Sequence, residues 1–164
     1  MTPDDFRTLM SVFPTGVAVV TTLGQDGSPQ GMTCSALASV TPYPPTLLVC
    51  LRLRSRTLEA VEAHRRFAVN LLHAKARPVA VLFSSPMADR FSRVQWRSSE
   101  ADGLPWLVED AFAYAGCSVV ETIAVGDHAI ILGGIQQIAM SAGVPLLYGM
   151  REFSAWRRLG LDDV

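Results

Sequence analysis

The sequence predicts a mainly β fold: a small closed or partly open barrel of six or seven mostly antiparallel strands, with two or three short helices. Three observations carry this expectation. Apolar runs of strand length, rich in Val, Leu, Ile and Thr, recur at short intervals from Val17 to Tyr148. Turn signals separate them at Gln25-Asp26-Gly27, at the proline cluster Pro42 to Pro45, and at Gly126-Asp127. Hydrophobic residues make up 49% of the 164 residues and charged residues only 18%. That supply fills one core, sized for one domain over 1–164, and leaves apolar surface for a second copy to cover.

Thr2-Pro3-Asp4-Asp5 opens a helix. Thr2 caps it, Pro3 suits the first helical position, and the two acids favour the positive end of the helix dipole. Phe6, Leu9, Met10 and Phe13 share one face, and Pro14 ends the helix. Val17 to Leu23 is a strong strand. It turns through Asp26-Gly27 into a partner strand that starts at Gly31 and runs on to Thr41 and the prolines. Within that partner, Thr33, Cys34, Ser35 and Ala36 are small, where strand interiors favour β-branched and aromatic side chains. Small side chains leave space. Two fillers fit it: a flat ligand whose edge is read by strand N–H and C=O groups, or a large neighbouring side chain such as a tryptophan.

Thr46 to Leu53 is a third strand, nearly all apolar and so buried on both faces. Arg54-Ser55-Arg56-Thr57 leads into a helix with Leu58 and Val61 on its apolar side, and Ser55 stands at the N-cap. Hydroxyls, free amides and an arginine at a helix start make an anion site. An ordinary serine cap beside solvated arginines is the other reading. Arg66 to Leu72 is a fourth strand, and Pro78 to Phe83 a helix with Val79, Leu82 and Phe83 inward. From Ser84 to Pro105 the pattern breaks into a loop-rich excursion with aromatic anchors at Phe91 and Trp96. Segments of that length are more often functional than idle. Phe112 to Val125 and His128 to Met140 form a long hairpin. Val144 to Tyr148 is a last short strand before a tail with Trp156.

Several function classes drop out. The net charge is −1 with no basic block, which excludes nucleic acid as a partner. Cys34, Cys50 and Cys117 form no C-x-x-C pair, which argues against a disulfide framework or zinc knuckle and for a reducing, cytoplasmic compartment. Asp4 and Asp5 stand where a signal peptide would be positive, and no apolar run is long enough to span a bilayer, so no membrane is expected. There is no G-x-S-x-G elbow, no P-loop and no G-x-G-x-x-G. His64, His73 and His128 stand apart, so no metal site is expected. Cys34 as a nucleophile lacks a base and reads as a small buried hydrophobe. His128 follows Asp127 at a hairpin tip. It is either a turn histidine bonded to its neighbours or a polar group at the mouth of a barrel.

An ordered set of motifs adds a resemblance. Phe13-Pro-Thr-Gly-Val-Ala-Val-Val-Thr-Thr22, Gly31-Met-Thr-Cys-Ser-Ala36, Ser39-Val-Thr-Pro-Tyr-Pro-Pro45, Ser55-Arg-Thr57, Phe67-Ala-Val-Asn-Leu-Leu72, Gly103-Leu-Pro105, Cys117, Gly126-Asp-His128, Gly133 and Pro145-Leu-Leu-Tyr148 follow one another. Together they resemble the short-chain flavin reductase family, the reductase partners of two-component flavin-dependent monooxygenases. The resemblance implies a flavin-binding split β-barrel and a homodimer. It implies an NAD(P)H-dependent flavin reductase (EC 1.5.1 type), with NADH or NADPH reducing FMN or FAD at N5 and the reduced flavin diffusing to a monooxygenase. It also implies roles: Thr33, Cys34, Ser35 and Ala36 along the isoalloxazine, Ser55, Arg56 and Thr57 on the flavin phosphate, and His128 as the catalytic residue by the nicotinamide and flavin ring. Tyr148, Arg151 and Phe153 would close the site from the second subunit, and Arg90 and Phe91 would touch the flavin tail. The chain departs from the family pattern at Cys34 and at the basic pair Lys75 and Arg77. Two rival classes remain: a flavin-binding electron carrier or store without fast turnover, and a redox-silent barrel that only makes protein contacts.

Overall fold

The structure, a computed structural model, describes residues 1–157. In chain order its elements are α1 (Pro3–Ser11), β1 (Thr15–Gly16), β2 (Ala18–Leu23), β3 (Pro29–Cys34), β4 (Leu37–Pro42), β5 (Pro45–Arg52), α2 (Arg56–His64) and β6 (Arg66–Leu72). There follow α3 (Arg77–Ser84), β7 (Arg97–Ser98), β8 (Pro105–Trp106), β9 (Ala111–Val125), β10 (His128–Met140), β11 (Leu146–Gly149) and β12 (Glu152–Ala155). Seven strands form one antiparallel sheet in the order β3-β2-β6-β9-β10-β5-β4, and β1, β11 and β12 form a small second sheet.

Side-chain alternation divides the core in two. On one face of the large sheet, Val20, Val49, Leu51, Phe67, Val69 and Ile131 pack with Leu58 and Val61 of α2. On the other, Val19 and Leu72 pack with Val79 and Phe83 of α3, Leu107 and Leu146. The helices therefore cover opposite faces.

β3 and β4 lie at the two edges of the sheet. The expectation of one continuous strand from Gly31 to Thr41 is corrected here: the chain steps from one edge to the other through Ser35-Ala36, where the Ala36 carbonyl accepts from the Cys50 amide at 2.9 Å. The curled sheet brings its edges together at this step. Local propensity does not encode which edge a strand joins.

Polar groups fix the excursion after α3. Buried Asn70 donates through Nδ2 to Thr21 Oγ1 at 3.0 Å and accepts from the Leu107 amide at 2.9 Å. Thr21 Oγ1 donates to the Pro105 carbonyl at 2.6 Å. Tyr114 donates to Asp102 Oδ1 at 2.8 Å. The tail also differs from expectation: β12 returns on β11 through a turn at Met150 and Arg151, both with positive φ (54° and 63°). Such turns normally advertise themselves by Asn or Gly. No helix among the described residues is long and apolar enough to cross a membrane.

Candidate functional site

The step at Ser35-Ala36 forms one wall of a cleft of about 720 Å³. Thr33 and Cys34 line it from the end of β3, Ser35 and Ala36 from the step after it, Cys50 and Arg52 from β5, and Arg54 to Thr57 from the start of α2. Phe83 to Ala88 and Arg90 line it from the end of α3 and the excursion, and His128 stands on the wall at the start of β10. Small side chains leave the backbone accessible along the first wall, and Cys34 is 5% exposed. Burial pushes its thiol up to about 11, so it stays neutral.

The electrostatics of the cleft are one-sided. Arg52, Arg54, Arg56 and Arg90 line it, and no Asp or Glu does. None of the four makes an ion pair among the described residues. Ser55 caps α2, its hydroxyl accepting from the Leu58 amide at 3.1 Å. The first-turn amides of Arg56 and Thr57 have no intrahelical acceptor and add to the positive end of the helix. Arg90 is half-buried. It donates to the carbonyls of Phe83 (3.2 Å) and Ser85 (3.3 Å) and lies 5.6 Å from the centre of the Phe83 ring. Burial first, and then the charge of Arg56, pull its guanidinium below the ordinary value. Such a wall suits a phosphate ester.

His128 is 46% exposed at its side chain and sits with Nδ1 2.8 Å from Asp127 Oδ1. An ionised carboxylate only accepts, so Nδ1 carries the proton and Nε2 is left to meet a ligand. The contact with His128 holds the Asp127 carboxyl below its ordinary range. Register places His128 opposite Arg52, and the Asp127 carbonyl accepts from the Leu53 amide at 3.0 Å, which ties the hairpin tip to the end of β5. Among the described residues no group of three or more His, Cys, Asp or Glu is placed to hold a metal ion.

Comparison with known proteins decides the family. The flavin reductase like domain matches residues 10–157. The chain belongs to the flavin reductase like family. It is 54% identical over 156 residues to a flavin reductase (NADPH) of Lentzea aerocolonigenes, covering 95% of this chain and 91% of that one. It is 36% identical over 149 residues to the reductase subunit of a flavin-dependent monooxygenase of Mycobacterium tuberculosis, covering 89% and 78%. Among solved structures, the NADH:FAD oxidoreductase of Streptomyces globisporus C-1027 superposes with a TM-score of 0.87 at 30% identity, covering 96% and 97%. The fold is that of the split-barrel flavin reductases.

The cleft gathers nine of the residues singled out in the sequence: Thr33, Cys34, Ser35, Ala36, Ser55, Arg56, Thr57, Arg90 and His128. It does not gather the other four. Phe91 lies behind the wall, edge-on to Phe83 (5.0 Å between centroids) and to Trp96 (5.6 Å). Tyr148 and Phe153 face each other across β11 and β12, and Arg151 is exposed in the turn between them. Sequence reading missed Gln30, Met32, Cys50, Arg52 and Arg54 on the wall, and the segment Ser84 to Ala88. The alternation Arg52-x-Arg54-x-Arg56 was the available signal for two of these. The Ser84 to Ala88 segment opens the Ser84 to Pro105 excursion, whose length marked it in the sequence without singling out these five residues.

Proposed function

We propose that this protein is an NAD(P)H:flavin oxidoreductase of the EC 1.5.1 type, which reduces FMN or FAD and releases the product to a flavin-dependent monooxygenase. The observation that carries the reading is the cleft with four arginines, no acid on its wall and a strip of small residues beside them. The residues fit a flavin: the small strip admits a flat ring, and the α2 N-terminus with Ser55, Arg56 and Thr57 suits its phosphate. Bound there, the flavin supplies the hydride acceptor, N5. Thr33, Cys34, Ser35 and Ala36 orient the ring by backbone contacts. His128, held by Asp127, presents Nε2 to the nicotinamide and flavin ring and positions them. No nucleophile is required of the chain, and the neutral Cys34 thiol agrees with that.

The protein acts as a homodimer, in which Tyr148, Arg151 and Phe153 of one subunit close the cleft of the other. Support comes from α1, which has no buried residue and exposes Phe6, Leu9 and Met10 with the chain alone, as Val12 and Phe13 are exposed just after it. The three free thiols suit a reducing, cytoplasmic setting.

The test is oxidation of NADH and of NADPH followed by absorbance, with FMN, FAD and riboflavin added in turn. Flavin-dependent oxidation that saturates in flavin is the expected result. Tight flavin binding with no oxidation by any pair would make the protein a flavin carrier and His128 a plain turn residue.

A further inference from the structure

Resting on the flavin reading, we infer that Arg52 is a positioning residue for His128. Set beside the imidazole across β5 and β10, it opposes a second proton there and keeps Nε2 a hydrogen-bond acceptor in the cleft. Residues directly opposite in an antiparallel pair share one face of the sheet, with Cβ atoms about 5 Å apart. His128 and Arg52 are such a pair, and both line the cleft. The imidazole thus meets two opposite charges. Asp127 accepts from its Nδ1 at 2.8 Å, and the Arg52 guanidinium stays protonated at any working pH. A carboxylate favours an imidazolium beside it, and a guanidinium disfavours one. Asp127 alone would draw a second proton to Nε2 and remove its lone pair. Arg52 offsets that pull.

Arg52 does this without taking the carboxylate for itself. It makes no ion pair among the described residues, so Asp127 Oδ1 stays with His128. Its charge still reaches Asp127. The carboxyl is held below its ordinary range first by the hydrogen bond with His128 and, as a smaller cause, by Arg52. The Leu53 amide, next to Arg52 in the chain, donates to the Asp127 carbonyl at 3.0 Å and fixes the tip against the end of β5. The other neighbours bring no charge of the carboxylate's sign. Val125, opposite His128 on β9, is uncharged. Cys50, two residues back on β5, has its thiol pushed up by burial and stays neutral at pH 8 and below. Arg54, Arg56 and Arg90 line the same cleft, but none stands opposite His128 in the strand register, and no Asp or Glu lines it. A neutral imidazole with its proton on Nδ1 offers a lone pair at Nε2 and accepts from an N–H of the bound nucleotide or flavin. An imidazolium only donates.

The test follows reduction of flavin bound to the full chain by stopped-flow absorbance from pH 5 to 8. NADH or NADPH is saturating, so nucleotide affinity drops out of the rate. The rate is expected to fall toward acid pH, and His128→Ala should abolish that fall. Arg52→Gln should move the fall up by about 0.5–1 pH unit, the effect of one unit charge about 5 Å away in water-like surroundings. Arg52→Lys keeps the charge and should return the fall to its place in the unaltered protein. Asp127→Asn removes the opposite charge and should move the fall down. Both side chains are exposed, so these variants keep the core intact. A merely structural Arg52 would lower the rate equally at every pH in Arg52→Gln. That result would overturn the inference and leave the flavin reading standing. So would a rate that rises toward acid pH, or Arg52→Lys behaving as Arg52→Gln. Reduction of no flavin by either nucleotide would overturn both.

Discussion

Nδ1 of His128 is committed to Asp127, so a single nitrogen of this ring faces the cleft. A group that donates or accepts one hydrogen bond at the reacting ring, without being needed to hold the phosphate, separates turnover from affinity. His128→Ala should therefore lower kcat by about a hundredfold, the lower end of the 10²–10⁴-fold typical of general acid–base groups. The dissociation constant for flavin should move little, because the arginines and the α2 amides are untouched. Stopped-flow reduction beside equilibrium flavin titration checks this, and equal losses in both would assign His128 to binding. The Asp127 contact persists over the working range: its depressed carboxyl stays ionised until the pH falls below the ordinary carboxylate range. Cys34 shows what a single residue type reveals. Its reading as a small hydrophobe without a base matches a thiol that is 5% exposed and donates to the Ala36 and Cys50 carbonyls.

At the scale of elements, the cleft depends on how closely α3 approaches β3. Gly31 makes that approach possible: a Cβ there would lie 3.1 Å from the Val20 carbonyl oxygen and 3.2 Å from both the Phe83 and Phe91 rings. Thr33 fastens the same contact by donating to the Ala80 carbonyl at 2.6 Å. Gly31→Val should cost about 1–3 kcal/mol by overpacking. It should also weaken flavin binding, since Phe83 lines the cleft and carries Arg90. Urea midpoints and flavin titration of the same samples check both, and a loss of stability with unchanged affinity would uncouple α3 from the site. The elements that sequence periodicity found best are those with an unbroken apolar alternation: β5, β6, β9 and β10 lie within a residue or two of the spans read from the chain. Legibility failed where the deciding fact is non-local. The chain from Gly31 to Thr41 carries strand propensity throughout, and only closure of the sheet divides it at Ser35-Ala36. β12 hides behind a Met150-Arg151 turn with no glycine or asparagine. Of the candidate site, the two segments with distinctive chemistry of their own, the small-residue strip and the Ser55 cap, were legible. Arg52 and Ser84 to Ala88 join the cleft only through folding, and Phe91 reads as a site aromatic until its rings are seen to brace Phe83.

For the whole molecule, two features set its stability. The first is the uncovered apolar surface of α1 together with Val120, Ile123, Val125, Ile138 and Met140 of the long hairpin. Light scattering should give twice the 17.8 kDa chain mass, and Leu9→Asp should shift the distribution toward the single chain; an unaltered protein of single-chain mass would remove the dimer. The second is the pair of buried thiols. Burial pushes Cys34 up to about 11 and Cys117 up to about 12, from an ordinary 9.0. In the unfolded chain both ionise near the ordinary value, so between there and the folded values the native state holds more protons than the unfolded state. Stability then falls as pH rises. The contribution is whole below pH 9.0 and is lost through about 11 for Cys34 and about 12 for Cys117. Each thiol adds a slope approaching about 1.4 kcal/mol per pH unit once the unfolded chain is ionised. Burial also pushes the Tyr114 phenol well above its ordinary 10.0, which adds a fall of the same sign at higher pH. Urea unfolding from pH 8 to 10 therefore reads the thiols, Cys50 included since burial raises it too, with the ordinary tyrosine lying at the top of that window. Cys34→Ala and Cys117→Ala should each flatten the decline, and the double variant should flatten it more than either, since neither thiol is a cause of the other's shift. An alkaline slope unchanged in the double variant would show that the two thiols ionise as readily in the folded protein as in the unfolded chain.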